Sequence, residues 1–108
     1  MKRQAILFLS PRALAVASHL GGLVRQARLA RHWTHAELAE RARVSTATLK
    51  RIEKGAPSAS LGAWLSVFER LGMLPLLQSL EDPASAALLD ATRTQRGRPR
   101  RDDPSLDF

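Results

Sequence analysis

Between Leu38 and Ile52 the apolar positions fall into two short sets. Leu38, Ala39 and Ala42 recur at i, i+1 and i+4, which is one face of a helix. Val44, Leu49 and Ile52 form a second face beyond a polar break at Arg43. Cap residues delimit both. Thr34 with Glu37 is a capping box, so the first helix is predicted to start at about His35. Ser45 is a second N-cap, so the next helix is predicted over about Thr46 to Lys54. Gly55 fits a left-handed C-terminal residue, and Pro57 prevents continuation. The turn between the two helices carries Arg43 where such units often have glycine, at a cost of about 1 kcal/mol. Two short helices around a tight turn, with small polar and basic residues on the outward side of the second, suit a helix that enters the DNA major groove.

The same reading extends along the chain. Ala5–Leu9 is a short apolar run, predicted as a strand, a packed arm or a disordered start. Ser10-Pro11 opens a helix reaching Arg31, with Leu20, Leu23, Val24 and Ala27 on one stripe. Gly21-Gly22 inside it predicts a kink or two consecutive helices, and small residues there let another backbone come close. Ser60 caps a helix carrying Leu61, Trp64, Leu65, Phe68 and Leu71 and ending at Gly72; Trp64 and Phe68 are core or dimer-interface residues. Met73–Leu80 is almost continuously apolar and predicts a short helix after Pro75, in which Leu74, Leu76, Leu77 and Leu80 make a homodimer contact; a strand paired across the dimer is the alternative. Asp82-Pro83 starts a last helix to about Thr92, and the charged remainder is expected to be disordered when free. The expected organisation is an arm over 1–10, a DNA-binding and dimerisation domain over 11–81, a short helix over 82–92 and a flexible tail over 93–108.

Residues 20–72 resemble the Cro/repressor-type, or XRE, helix-turn-helix family. Arg28, Trp33-Thr34, Glu37-Leu38-Ala39, Val44-Ser45, Leu49, Ile52-Glu53 and Gly55 carry the resemblance. It implies an all-α, five- to six-helix lambda-repressor-like domain that binds a pseudo-palindromic double-stranded operator as a homodimer.

Composition narrows the function classes. The chain has 108 residues and a net charge of +7, which favours a polyanion or an acidic partner. It has no cysteine, and its three histidines lack carboxylates at ligand spacing, so neither a metal nor any other cofactor is expected. No paired carboxylates, activated nucleophile or glycine-rich phosphate loop points to an enzyme. Ser10-Pro11-Arg12 breaks the N-terminal apolar run too early for a signal peptide or a membrane span, so a cytoplasmic protein is expected.

Candidate DNA contacts follow from the helix face. With Leu49 and Ile52 inward, Thr46, Ala47, Lys50 and Arg51 face out as base readers, with Thr48 at the rim. Lys50 and Arg51 can donate to guanine, and the methyls of Thr46 and Ala47 can meet thymine methyls; the two cations reaching only phosphates is the alternative. Arg25, His35, Ser45, Thr48 and Lys54 are the phosphate candidates. The resemblance places His35 where a phosphate-contacting Gln is common, and it implies that Arg28 and Glu53 form a partly buried structural ion pair. In the tail, Arg96, Gly97, Arg98, Pro99, Arg100 and Arg101 are similar to an AT-hook, an extended segment for a narrow minor groove. Nonspecific phosphate binding and an acidic protein partner are the alternatives. The acidic end, Asp102 to Phe108, is an idle tail or a docking segment. The Ser-Pro start, the motif, the apolar stretch after it and the charged tail are together similar to HipB-like antitoxins. That similarity implies an autorepressor that also binds a HipA-like kinase toxin; a stand-alone or phage-type regulator is the alternative.

Overall fold

The computed structural model describes the backbone of residues 9–102 and the side chains of residues 9–93. These residues form six helices and no strand: α1 (Pro11–Ala30), α2 (His35–Ala42), α3 (Thr46–Glu53), α4 (Leu61–Arg70), α5 (Leu74–Gln78) and α6 (Pro83–Asp102). The chain divides after Pro75 into two compact units. Residues 5–8 of the apolar arm lie outside the described residues, as do residues 103–108.

In the first unit, α2 packs on α3 and α4, and α3 also packs on α1. Val24, Leu38, Leu49, Ile52 and Val67 are fully buried, joined by Phe68 and Leu71. This is the lambda-repressor-like arrangement. Val44, expected in the core, is only half-buried, because it lies on the turn rather than on a helix face. Phe68 is core and the half-buried Trp64 stacks on it, ring centres 6.0 Å apart.

α1 is one unbroken helix despite Gly21-Gly22. The reason is packing. A Cβ on Gly21 would lie 2.4 Å from the Ile52 carbonyl oxygen and 2.7 Å from that of Glu53. A Cβ on Gly55 would lie 2.6 Å from the Ser18 Cα. Two glycines thus let the end of α3 press directly on the α1 backbone, and the close approach offsets the helix penalty of Gly21.

The first four helices end alike. Each has a left-handed residue after its last turn: His32, Arg43, Gly55 and Gly72. In each the next amide donates back to the carbonyl five residues earlier: Trp33 to Arg28, Val44 to Ala39, Ala56 to Arg51 and Met73 to Phe68. That is the Schellman lock, which satisfies carbonyls that a helix end otherwise leaves open. The starts are equally explicit. Ser10, Thr34, Ser45 and Ser60 each accept from the amide three residues on, and Thr34 with Glu37 closes the full box.

In the second unit α6 begins with Asp82 accepting from the Ala84 amide. It runs to Asp102, not to Thr92 as expected. Arg and Gln are good helix formers, and extending a helix costs far less than nucleating one. The backbone of residues 96–101 is therefore helical, whereas an AT-hook contact needs it extended. α5 spans the division; Leu74 and Leu77 are half-buried, while Leu76 is 62% and Leu80 74% exposed.

Candidate nucleic-acid interface

α3 separates its two faces cleanly. Leu49 and Ile52 have no exposure, while Thr46, Ala47, Lys50 and Arg51 are all exposed. The Arg51 guanidinium leans back along the helix to the Thr48 hydroxyl at 3.4 Å. Thr48 also accepts from the Ser45 hydroxyl at 2.9 Å, while Ser45 accepts from the Thr48 amide. The Ser45 hydroxyl is therefore spent on the helix start, and its own proton is committed to Thr48. The Thr48 proton remains available to an outside acceptor.

Beneath the outer face of α3 lies a charge cluster. Arg28 on α1 is 5% exposed and grips Glu53 with two bonds, Nε to Oε2 at 2.7 Å and Nη2 to Oε1 at 3.1 Å. Its Nη1 donates to the Trp33 carbonyl at 3.0 Å. One guanidinium thus joins α1, the α1–α2 turn and the end of α3 in the forked geometry that arginine favours. His35 adds a third donor to the carboxylate, Nε2 to Oε1 at 3.0 Å. Burial pushes the Glu53 carboxyl up, but the hydrogen bonds and charges of Arg28 and His35 outweigh it and hold it below the ordinary carboxylate range.

Over this cluster opens a shallow cleft of about 220 Å³, lined by Arg25, His35, Lys50, Glu53 and Lys54. It brings together the candidate DNA contacts Arg25, His35, Lys50 and Lys54, with the Glu53 carboxylate as floor. Ser45 and Thr48 are not among the lining residues; they sit at the other end of α3. The link between His35 and Glu53 has no local sequence signal, since it spans 18 residues and depends on how α2 crosses α3.

The sequence of residues 19–80, which builds this exposed polar helix and the buried pair behind it, matches the family model of a helix-turn-helix domain. The chain belongs to the helix-turn-helix family. No curated protein and no solved structure matched it. The helix-turn-helix motif is a DNA-binding one, in which the second helix lies in the major groove and the first crosses the backbone. In this helix-turn-helix chain those elements are α3 and α2.

Sequence reasoning overlooked a second basic cleft, about 330 Å³, lined by Arg41, Ala42, Arg43, Ser66, Glu69 and Arg70. Arg41 stacks over the Trp33 ring at 4.6 Å and donates to the Glu37 carbonyl, and Arg70 donates to the Arg41 carbonyl at 3.0 Å. No described helix is long and apolar enough to cross a membrane.

Proposed function

We propose that the protein is a sequence-specific transcriptional repressor that binds double-stranded DNA as a homodimer. The observation that carries this is α3: its inner face is sealed by Leu49 and Ile52, and its outer face offers Thr46, Ala47, Lys50 and Arg51. Lys50 and Arg51 read guanine edges, and the methyls of Thr46 and Ala47 pack on thymine. Arg25, Lys50 and Lys54 hold a phosphate over the cleft, and Thr48 donates a further phosphate contact. A dimer sets two copies of α3 about 34 Å apart on a pseudo-palindrome. The exposed Leu76 and Leu80 support a contact between copies through Leu74–Leu80. The Arg-rich sequence of residues 96–101 supports additional nonspecific phosphate binding.

Lys50→Ala with Arg51→Ala tests the assignment. Binding to an operator selected from random duplexes should fall further than binding to arbitrary DNA, by about 1–3 kcal/mol for each guanine no longer read. Equal losses on both would mean that these residues touch only phosphates.

The antitoxin reading is supported by the chain pattern alone, and it makes the protein the autorepressor of an operon with a HipA-like kinase toxin. Co-purification with the product of the adjacent gene tests it; an adjacent gene without a kinase favours a stand-alone regulator.

A further inference from the structure

The cleft over Glu53 holds a histidine in a position that couples a buried carboxylate to the phosphate site. We propose that His35 is a proton-gated phosphate contact, so that DNA affinity rises on mild acidification. The inference rests on the DNA-binding reading above.

The argument begins with the tautomer. The Glu53 carboxylate has no proton to give, so the 3.0 Å bond from His35 requires a proton on Nε2. In the neutral ring Nδ1 then carries only a lone pair. It cannot donate to a phosphate, and the His35 ring contributes no charge to the cleft that it lines with Arg25, Lys50 and Lys54. Protonation leaves the bond to Glu53 intact. It adds an Nδ1 donor and one positive charge to the same cleft.

The surrounding charges isolate this change. Arg25 and Arg28 face the site from α1, and Lys50, Glu53 and Lys54 from α3. Arginine and lysine stay charged below about pH 8. Glu53, held below the ordinary carboxylate range, stays anionic through the same interval. An imidazole is the side chain whose charge changes between about pH 5 and pH 8. His35 is 35% exposed, open enough to exchange its proton with solvent and to meet a ligand.

The phosphate contact is independent of sequence, so an arbitrary duplex about two helical turns long serves as the probe. Affinity is measured by fluorescence anisotropy at ~pH 8 and ~pH 5.5 over a salt series. For the full chain, affinity at about 0.1 M salt should rise about eightfold at the lower pH. The slope of log affinity against log salt should steepen by about 0.9, the mark of one more neutralised phosphate. A His35→Gln variant keeps an amide donor for Glu53 and should show neither change. A double variant at the exposed His19 and His32, each to Gln, should keep both changes. A pH response that survives in H35Q, or a parent salt slope identical at both pH values, overturns the proposal. Absence of DNA binding at every pH and salt overturns the DNA reading beneath it.

Discussion

The two basic clefts of the first unit look alike in composition and differ in what their cations already hold. In the cleft beside α3, the described ion pairs involve Arg28 and His35 with Glu53, and none involves Arg25, Lys50 or Lys54. In the cleft between α2 and α4, Arg41 is stacked on Trp33 and bonded to the Glu37 carbonyl, and Arg70 is bonded to the Arg41 carbonyl. Arg70 thus satisfies a carbonyl in the last turn of α2, where a positive charge also complements the helix dipole, and Arg41 is held along the same helix by the Glu37 carbonyl. Charge alone therefore does not mark a nucleic-acid surface. On the proposed reading, what marks it is a set of cations with no described side-chain hydrogen bond or ion pair, arranged beside the exposed face of α3.

The comparison breaks most visibly at its floor. Arg28→Ala leaves Glu53 buried without its forked partner and should destabilise the domain by about 3 kcal/mol. Thermal melting should then shift down by roughly 12 °C or more. A shift of a few degrees would show that the pair is dispensable to the cleft.

Next in size is the contrast between the clefts. Removing Arg25 and Lys54 together should reduce the salt slope of DNA binding by about 1.8, which is about sixtyfold in affinity at 0.1 M salt. Removing Arg41 and Arg70 should leave that slope unchanged. Equal effects would erase the distinction between partnered and unpartnered cations.

Acid titration sharpens the same point. The Glu53 carboxyl titrates lower in the folded chain than in the unfolded one. Its contribution is therefore present above the unfolded carboxylate value, near pH 4.3, and is lost as pH falls through the folded value. Urea melts should show Glu53→Gln losing part of the parent's stability difference between about pH 6 and pH 3. An unaltered difference would show that the carboxylate is not the group that acid attacks.

The smallest effect separates two adjacent glycines. Gly22 faces open space, so Gly22→Ala should stabilise by about 0.5–1 kcal/mol through helix propensity. Gly21→Ala should do the opposite, because its methyl meets the α3 backbone. Melting both variants reads the sign directly.

These cases also show what the chain states openly. Helix starts at Ser10, Thr34, Ser45 and Ser60 are written in cap residues, and the two faces of α3 in a short apolar period, so both were legible. The end of α1 near Arg31 was legible as well, but not the left-handed His32 that locks it, which carries no glycine or asparagine flag. Which of Gly21 and Gly22 meets α3 depends on helix phase against a partner distant in sequence. The reach of α6 past Thr92 was hidden by the charged, apolar-poor composition of that stretch, which reads as disorder. The His35–Glu53 bond and the α2–α4 cleft arise only from the crossing of helices, which no local pattern encodes.

The four Schellman locks bear on how the domain is made. Each closes a loop of six residues, so the ends of α1 to α4 are defined by contacts that are local in sequence. Helical domains rich in local contacts fold in microseconds to milliseconds. The left-handed Arg43 is one of these local devices: it sets the bend between α2 and α3 from within its own turn, and so the direction in which α3 presents its exposed face.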